Sequence, residues 1–234
     1  MSAGQAEPAV RCATDIPASR LGPGVLVREL LNDEHGCRGL HQRRLRLGSG
    51  AQLAGTAGGL GEAWYVITGS GFIKTERTGC VALVPGTAAW LDPALGYACQ
   101  AQRELRILAV TVRAGSAVAG PARCVVRLAD CEPEITGDRE FRVLLSEGLT
   151  ITQFAGLIPP GRAPAHQHTY DEVVHVLDGE GVVHLGEAET AIGPGTSIYL
   201  PPQAPHCLEN PGSVPLQVLG VFHPAGSPAA KHVS

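Results

Sequence analysis

The sequence predicts an all-β protein made of two similar barrels in tandem, on three observations: dense turn punctuation, short runs of strand-forming residues, and an internal repeat. The 234 residues include 30 Gly and 18 Pro, with 44% hydrophobic and 17% charged residues. That balance supplies a core and argues against global disorder. The punctuation suits short strands joined by tight turns. A formal charge of -4 offers no broad cationic surface, and no zinc-finger or basic-helix motif is present, so nucleic acid is not an expected partner. The seven cysteines are odd in number and never spaced C-x-x-C, which fits reduced thiols in a cytoplasmic protein. The first residues lack the pattern of a signal peptide and no run approaches 18 apolar residues, so neither export nor membrane spanning is expected.

The repeat gives the elements their order. Residues 62–69, EAWYVITG, have a counterpart in residues 172–179, EVVHVLDG, at an offset of 110; Val84-Pro85-Gly86 and Gly193-Pro194-Gly195 each lead into a further apolar run at an offset of 109. Strands are expected at residues 40–47, 63–68 and 87–91 in the first copy, and at 149–158, 173–177, 181–185 and 196–200 in the second. Thr68-Gly69-Ser70-Gly71 and Asp178-Gly179-Glu180-Gly181 read as hairpin turns. Residues 26–31 are the one segment that reads as a short helix. The organisation expected is an N-terminal tail or arm over residues 1–20, a first barrel over 21–116 and a second over 117–234, with the boundary in the loosened pattern of residues 114–123.

Seven of the nine histidines, His166, His168, His175, His184, His206, His223 and His232, lie in the second half. His166 and His168 are two apart, so in an extended strand both leave one face. Glu172 opens the next strand, near enough across an antiparallel pair to add a carboxylate oxygen. His206 follows another strand and a proline-rich turn and can reach the same interior. Three imidazoles and a carboxylate suit one divalent transition metal ion, Mn, Fe, Co, Ni, Cu or Zn, without naming which.

At these residues the sequence resembles the cupin superfamily. Gly161, His166, His168, Glu172 and Gly179 follow its first motif, and Gly195, Pro201, His206 and Asn210 its second, with two departures: four residues instead of five before His166, and Gln203 where glycine is usual. The resemblance implies two tandem jelly-roll barrels of the double-stranded β-helix type, a bicupin, with His166, His168, Glu172 and His206 as metal ligands. The repeat offsets place Thr56, Gly58, Glu62 and Tyr97 at the corresponding positions of the first copy, so that barrel is expected to be metal-free.

Four protein ligands leave two positions open on a six-coordinate ion, which suits catalysis on a small chelating organic molecule. An oxygenase-type oxidoreductase, dioxygenase-like, is the first expectation. A non-redox isomerase, lyase or decarboxylase is the second, and a non-catalytic binding or sensor module the third. A polar barrel without metal and an ion that only staples the fold are the plainer alternatives. Tyr170, in the turn between ligands, and Tyr199, on the 196–200 strand with undetermined facing, are the candidate catalytic side chains. His175 should face away from Glu172, Cys207 reads as a buried structural thiol, and Arg142 and Arg162 as solvated cations. The exposed outer strands suit a homodimer.

Overall fold

The structure, a computed structural model, describes residues 6–115 and 124–228. Its strands form two pairs of sheets, each a seven-stranded sheet facing a four-stranded one. In the first pair, the large sheet runs in the order Val125–Arg127, Thr87–Leu91, Glu62–Thr68, Leu105–Val112, Leu40–Leu47, Val25–Leu31, Ser19–Gly22. In the second it runs Ala9–Cys12, Thr196–Leu200, Asp171–Asp178, Leu216–His223, Thr152–Ile158, Arg139–Leu145, Glu134–Thr136. The order is the same strand for strand, as duplication requires, and the pairs are antiparallel throughout.

Alternation along these strands builds three main apolar layers. Trp64, Val66, Ile107 and Ala109 fill the first barrel. Val174, Val176, Ile198 and Val218 fill the second. Their neighbours on the opposite faces, Tyr65, Leu108 and Val110 from the first half with Val173, Tyr199, Leu219 and Val221 from the second, form the layer between the barrels. One end strand of each large sheet comes from the other side of the repeat: Ala9–Cys12 pairs with Thr196–Tyr199, and Val125–Arg127 pairs with Thr87–Ala89. Val125–Arg127 thus follows the expected boundary in sequence yet belongs to the first half's sheet. Most of that boundary, residues 116–123, lies outside the described residues, as does His232.

Two sequence expectations are corrected. Residues 26–31, read as a helix, are part of the strand Val25–Leu31. Leu, Arg and Glu favour a helix locally, but Val25 and Val27 pack inside the barrel and the segment pairs on both sides, so sheet context overrides propensity. The turns at 68–71 and 178–181 are not hairpins: Glu62–Thr68 pairs within the large sheet, and Gly71–Thr75 within the small one. They are corners where the chain passes from sheet to sheet. Gly69 shows why glycine is needed there, with φ of 91° and space for a Cβ only 1.9 Å from the Glu104 carbonyl oxygen.

Candidate metal centre

The second barrel gathers the four sequence-selected residues at one end, from both of its sheets and a loop, with three of them buried and His166 at the rim. Glu172 stands near the start of Asp171–Asp178 in the large sheet, opposite Leu200 and Phe222. His206 opens His206–Asn210 in the small sheet. His166 and His168 are not on a strand next to Glu172, as the sequence suggested. They lie in a loop segment whose one bridge is to His206, with reciprocal backbone bonds of 3.0 and 2.9 Å. The proline-rich turn before His206 holds this loop, the Gln203 backbone N–H donating to the His168 carbonyl at 2.6 Å. Gln203 takes φ of 64°, the one non-glycine in the left-handed region among the described residues, at the position where the motif has glycine.

His168, Glu172 and His206 are buried, and their donor atoms lie within 4.8 Å of one another. Each imidazole is held by its Nδ1, facing the Tyr170 carbonyl at 2.8 Å in His168 and the Ala204 carbonyl at 2.8 Å in His206. An Nδ1–H that donates to a carbonyl leaves the Nε2 lone pair free, which is the tautomer a metal ligand needs. In His168 that Nε2 stands 2.8 Å from Glu172 Oε2. Neighbouring donors on one transition metal ion at about 2.1 Å stand about 3 Å apart, so the spacing fits a shared cation. His166 lies at the exposed rim, its ring centroid 4.4 Å from that of His206, and outside the three-residue cluster. Burial lowers the pKa of His206 to about 4, with His166 and His168 adding to the fall against Glu172, so the ring is neutral and able to ligate at neutral pH.

The donors border a cavity of about 520 Å³. Tyr170 lines it, its ring stacked on His168 at 4.3 Å and 11°. Tyr199 does not: its hydroxyl donates to Asp171 Oδ1 at 2.6 Å and its ring lies between the barrels, while Leu200 faces the cavity. Tyr199 therefore anchors the start of the strand that carries Glu172. Arg162 lines the cavity; Arg142 does not, and bonds Glu140 and the Cys131 carbonyl. His175 is buried against Ser197 Oγ at 2.8 Å, and His184 sits between Glu209 and Glu189 at 2.8 and 3.1 Å. Cys207 is buried, and none of the seven cysteines is in a disulfide. The sequence reading missed Arg139, Phe141, Phe154 and Phe222 in the cavity wall. Their signal was alternation on strands flanking the ligands, which marks a face without saying whether that face holds a core or a cavity.

In the first barrel the matching space is filled. Arg43 donates to both Glu62 oxygens at 2.9 and 2.8 Å, and Trp64 Nε1 donates to Oε1 at 2.8 Å. The guanidinium compensates a carboxylate that is fully buried. Tyr97 packs edge-on against Trp64 at 5.2 Å, and a void that Tyr97 lines with Trp90 and Leu91, about 10 Å³, has room for a single water at most.

A model of the Cupin domain family matches residues 155–222. An uncharacterized protein of Methanocaldococcus jannaschii is 36% identical over 100 residues, which cover 40% of this chain and 80% of that protein. Among solved structures, oxalate decarboxylase from Bacillus subtilis at pH 4.6 superposes with a TM-score of 0.76 and 18% identity, covering 96% of this chain and 78% of the other. A tryptophan variant of the same enzyme gives 0.77 at 17% identity, covering 96% and 79%. At such identity the likeness is one of fold.

Proposed function

The chain belongs to the cupin superfamily and is a bicupin, and from that premise we propose that it is a metal-dependent enzyme whose second barrel holds one divalent transition metal ion through His166, His168, Glu172 and His206 and acts on a small organic acid that chelates the ion. One observation carries the reading: three buried donors, two of them imidazoles oriented by backbone carbonyls, meet beside a cavity with open space. A structural site would enclose its ion with protein instead. When bound, the ion supplies Lewis acidity toward an oxygen of the chelated molecule.

The chain's own residues orient and shield. Tyr170 covers His168 and keeps its ring from turning, and the apolar wall excludes water from the bound acid, which strengthens every polar contact inside. Burial, with Glu172 nearby, raises the Tyr170 phenol, so it stays protonated and can hydrogen-bond to the bound acid as a donor without giving up its proton. Cleavage of the acid without insertion of oxygen, as a decarboxylase or lyase, is the reaction proposed in place of the oxygenase expected from sequence. Its support is that solved structures similar over nearly the whole chain are those of a decarboxylase.

The test is turnover of a panel of chelating 2-oxo and 2-hydroxy acids by metal-reconstituted protein, in air and under anaerobic conditions. Equal rates in both are expected. Turnover that requires dioxygen would restore the oxygenase reading, and acids recovered unaltered from both would point to a binding module.

A further inference from the structure

The cavity beside the metal centre is unlike the site of a minimal acid. Its volume of about 520 Å³ falls in the range of about 300–1,000 Å³ that serves drug-sized or cofactor-sized ligands. The wall is aromatic out of proportion to the chain: three of only four phenylalanines, Phe141, Phe154 and Phe222, line it together with Tyr170. Phe154 and Phe222 lie 4.9 Å apart, and Phe222 and Tyr170 4.5 Å, so the rings form one continuous surface.

The backbone is cut back to seat that surface. Opposite Phe154 stands Gly220, where a Cβ would lie 2.3 Å from the Phe154 ring. Any side chain there would push the ring into the cavity. In the first barrel the corresponding pair is Arg43 opposite Ala109, and Arg43 points at Glu62. The same inward position thus plugs one barrel and papers the other with a ring.

Two arginines border this space, Arg162 at its exposed edge and Arg139, which is more buried. Arg139 lines the cavity, and among the described residues its side chain makes one hydrogen bond, to the Leu208 carbonyl at 3.4 Å. Among the described residues no carboxylate lies within 4.0 Å of it, whereas Arg43, Arg46, Arg106 and Arg142 each have one. Burial lowers the Arg139 pKa against the Asp138 charge, and Arg139 lines the same cavity as the aromatic wall and the three donors. Asp138 next to it in the chain is its nearest opposing charge and makes no ion pair with it within 4.0 Å, so the half-buried guanidinium keeps donors free for a ligand carboxylate.

We propose that the substrate is an organic acid with an aromatic or similarly bulky apolar side chain: its polar head meets the His168–Glu172–His206 donors, its negative charge is met by Arg139, and its body packs on Phe141, Phe154 and Phe222. This rests on the metal-centre reading for the place of the head, while the wall and Arg139 stand independently of it. A two-carbon dicarboxylate would leave the aromatic surface uncovered.

The test is calorimetric titration of the full chain, cobalt(II)-loaded and metal-free, with 3-phenyllactate, lactate, oxalate and the neutral amide of 3-phenyllactate. On the loaded protein 3-phenyllactate should bind at least about tenfold more tightly than lactate or oxalate, because only it covers the wall. Arg139→Met should weaken 3-phenyllactate by about tenfold or more and leave its amide nearly unchanged. Phe154→Leu, which keeps the core filled, should weaken 3-phenyllactate and spare lactate, with unchanged thermal unfolding confirming that both variants fold. Equal affinity for lactate and 3-phenyllactate, or an Arg139→Met effect shared by acid and amide, would overturn the proposal. Failure to take up cobalt would sink the metal-centre reading alone. The metal-free titration then decides the present one: selectivity for 3-phenyllactate that depends on Arg139 and Phe154 supports it, and its absence overturns it.

Discussion

At the scale of single residues, the second barrel orients its buried histidines by the acceptors it offers. His168 and His206 face backbone carbonyls through Nδ1, which leaves Nε2 for the centre. His175, on the opposite face of the Glu172 strand, is fully buried, and burial, with the Arg44 charge adding, pushes its pKa down to about 3. An unfolded histidine titrates near 6.5, so below that pH the unfolded chain binds a proton that folded His175 refuses. Its contribution to stability is complete above pH 6.5 and is lost as pH falls toward 3, at a rate on the order of 1 kcal/mol per pH unit. Urea unfolding of wild type and His175→Gln at pH 7 and pH 5 checks this. Wild type should lose more stability than the variant over the interval; equal losses would show that His175 does not set the slope. The sequence told which way His175 points, because a strand alternates. Its depth was hidden, since nothing local shows a second sheet above that face.

At the scale of elements, one inward position on equivalent strands decides what each barrel is for. Arg43 occupies it in the first barrel and satisfies Glu62; Phe154 occupies it in the second and leaves space beside Glu172. Arg43→Met strands a buried carboxylate and should cost about 3 kcal/mol or more in unfolding free energy. Adding Glu62→Gln removes the orphaned charge while keeping an acceptor for Trp64, and should restore much of that loss. A single variant as stable as wild type would contradict this account of the first barrel. That His168, Glu172 and His206 meet was legible because these residues keep fixed spacing through short turns. The sheet each strand joins was not: residues 68–71 and 178–181 carry hairpin chemistry and yet turn corners, because a tight glycine turn serves both uses. Arg43 escaped notice for a related reason, lying on a different strand from the carboxylate it neutralises.

At the scale of the whole molecule, the two halves are tied by exchange as well as by packing. Ala9–Cys12 covers the edge of Thr196–Leu200 beside Tyr199, Ala13 and Ile16 are buried behind it, and Arg11 bonds His35 Nε2 at 2.7 Å. Removing residues 1–16 should bare a strand edge and part of the layer between the barrels, lowering the unfolding temperature and producing concentration-dependent association in sedimentation. A monomer with an unchanged transition would show the strand to be dispensable. The repeat announced two barrels, but reciprocal pairing of their end strands depends on how the barrels face each other, which no local pattern encodes. Among the described residues no helix is long and apolar enough to cross a membrane. The molecule therefore presents one plugged barrel, one open barrel and a shared core that fixes Glu172 through Tyr199 and Asp171. The measurement that bears most directly on its centre is elemental analysis of purified wild type beside His168→Ala and Glu172→Gln. Wild type should carry close to one transition metal ion per chain and each variant far less; a wild type that stays empty after exposure to manganese, iron, cobalt, nickel, copper and zinc, or variants as fully loaded as wild type, would contradict it.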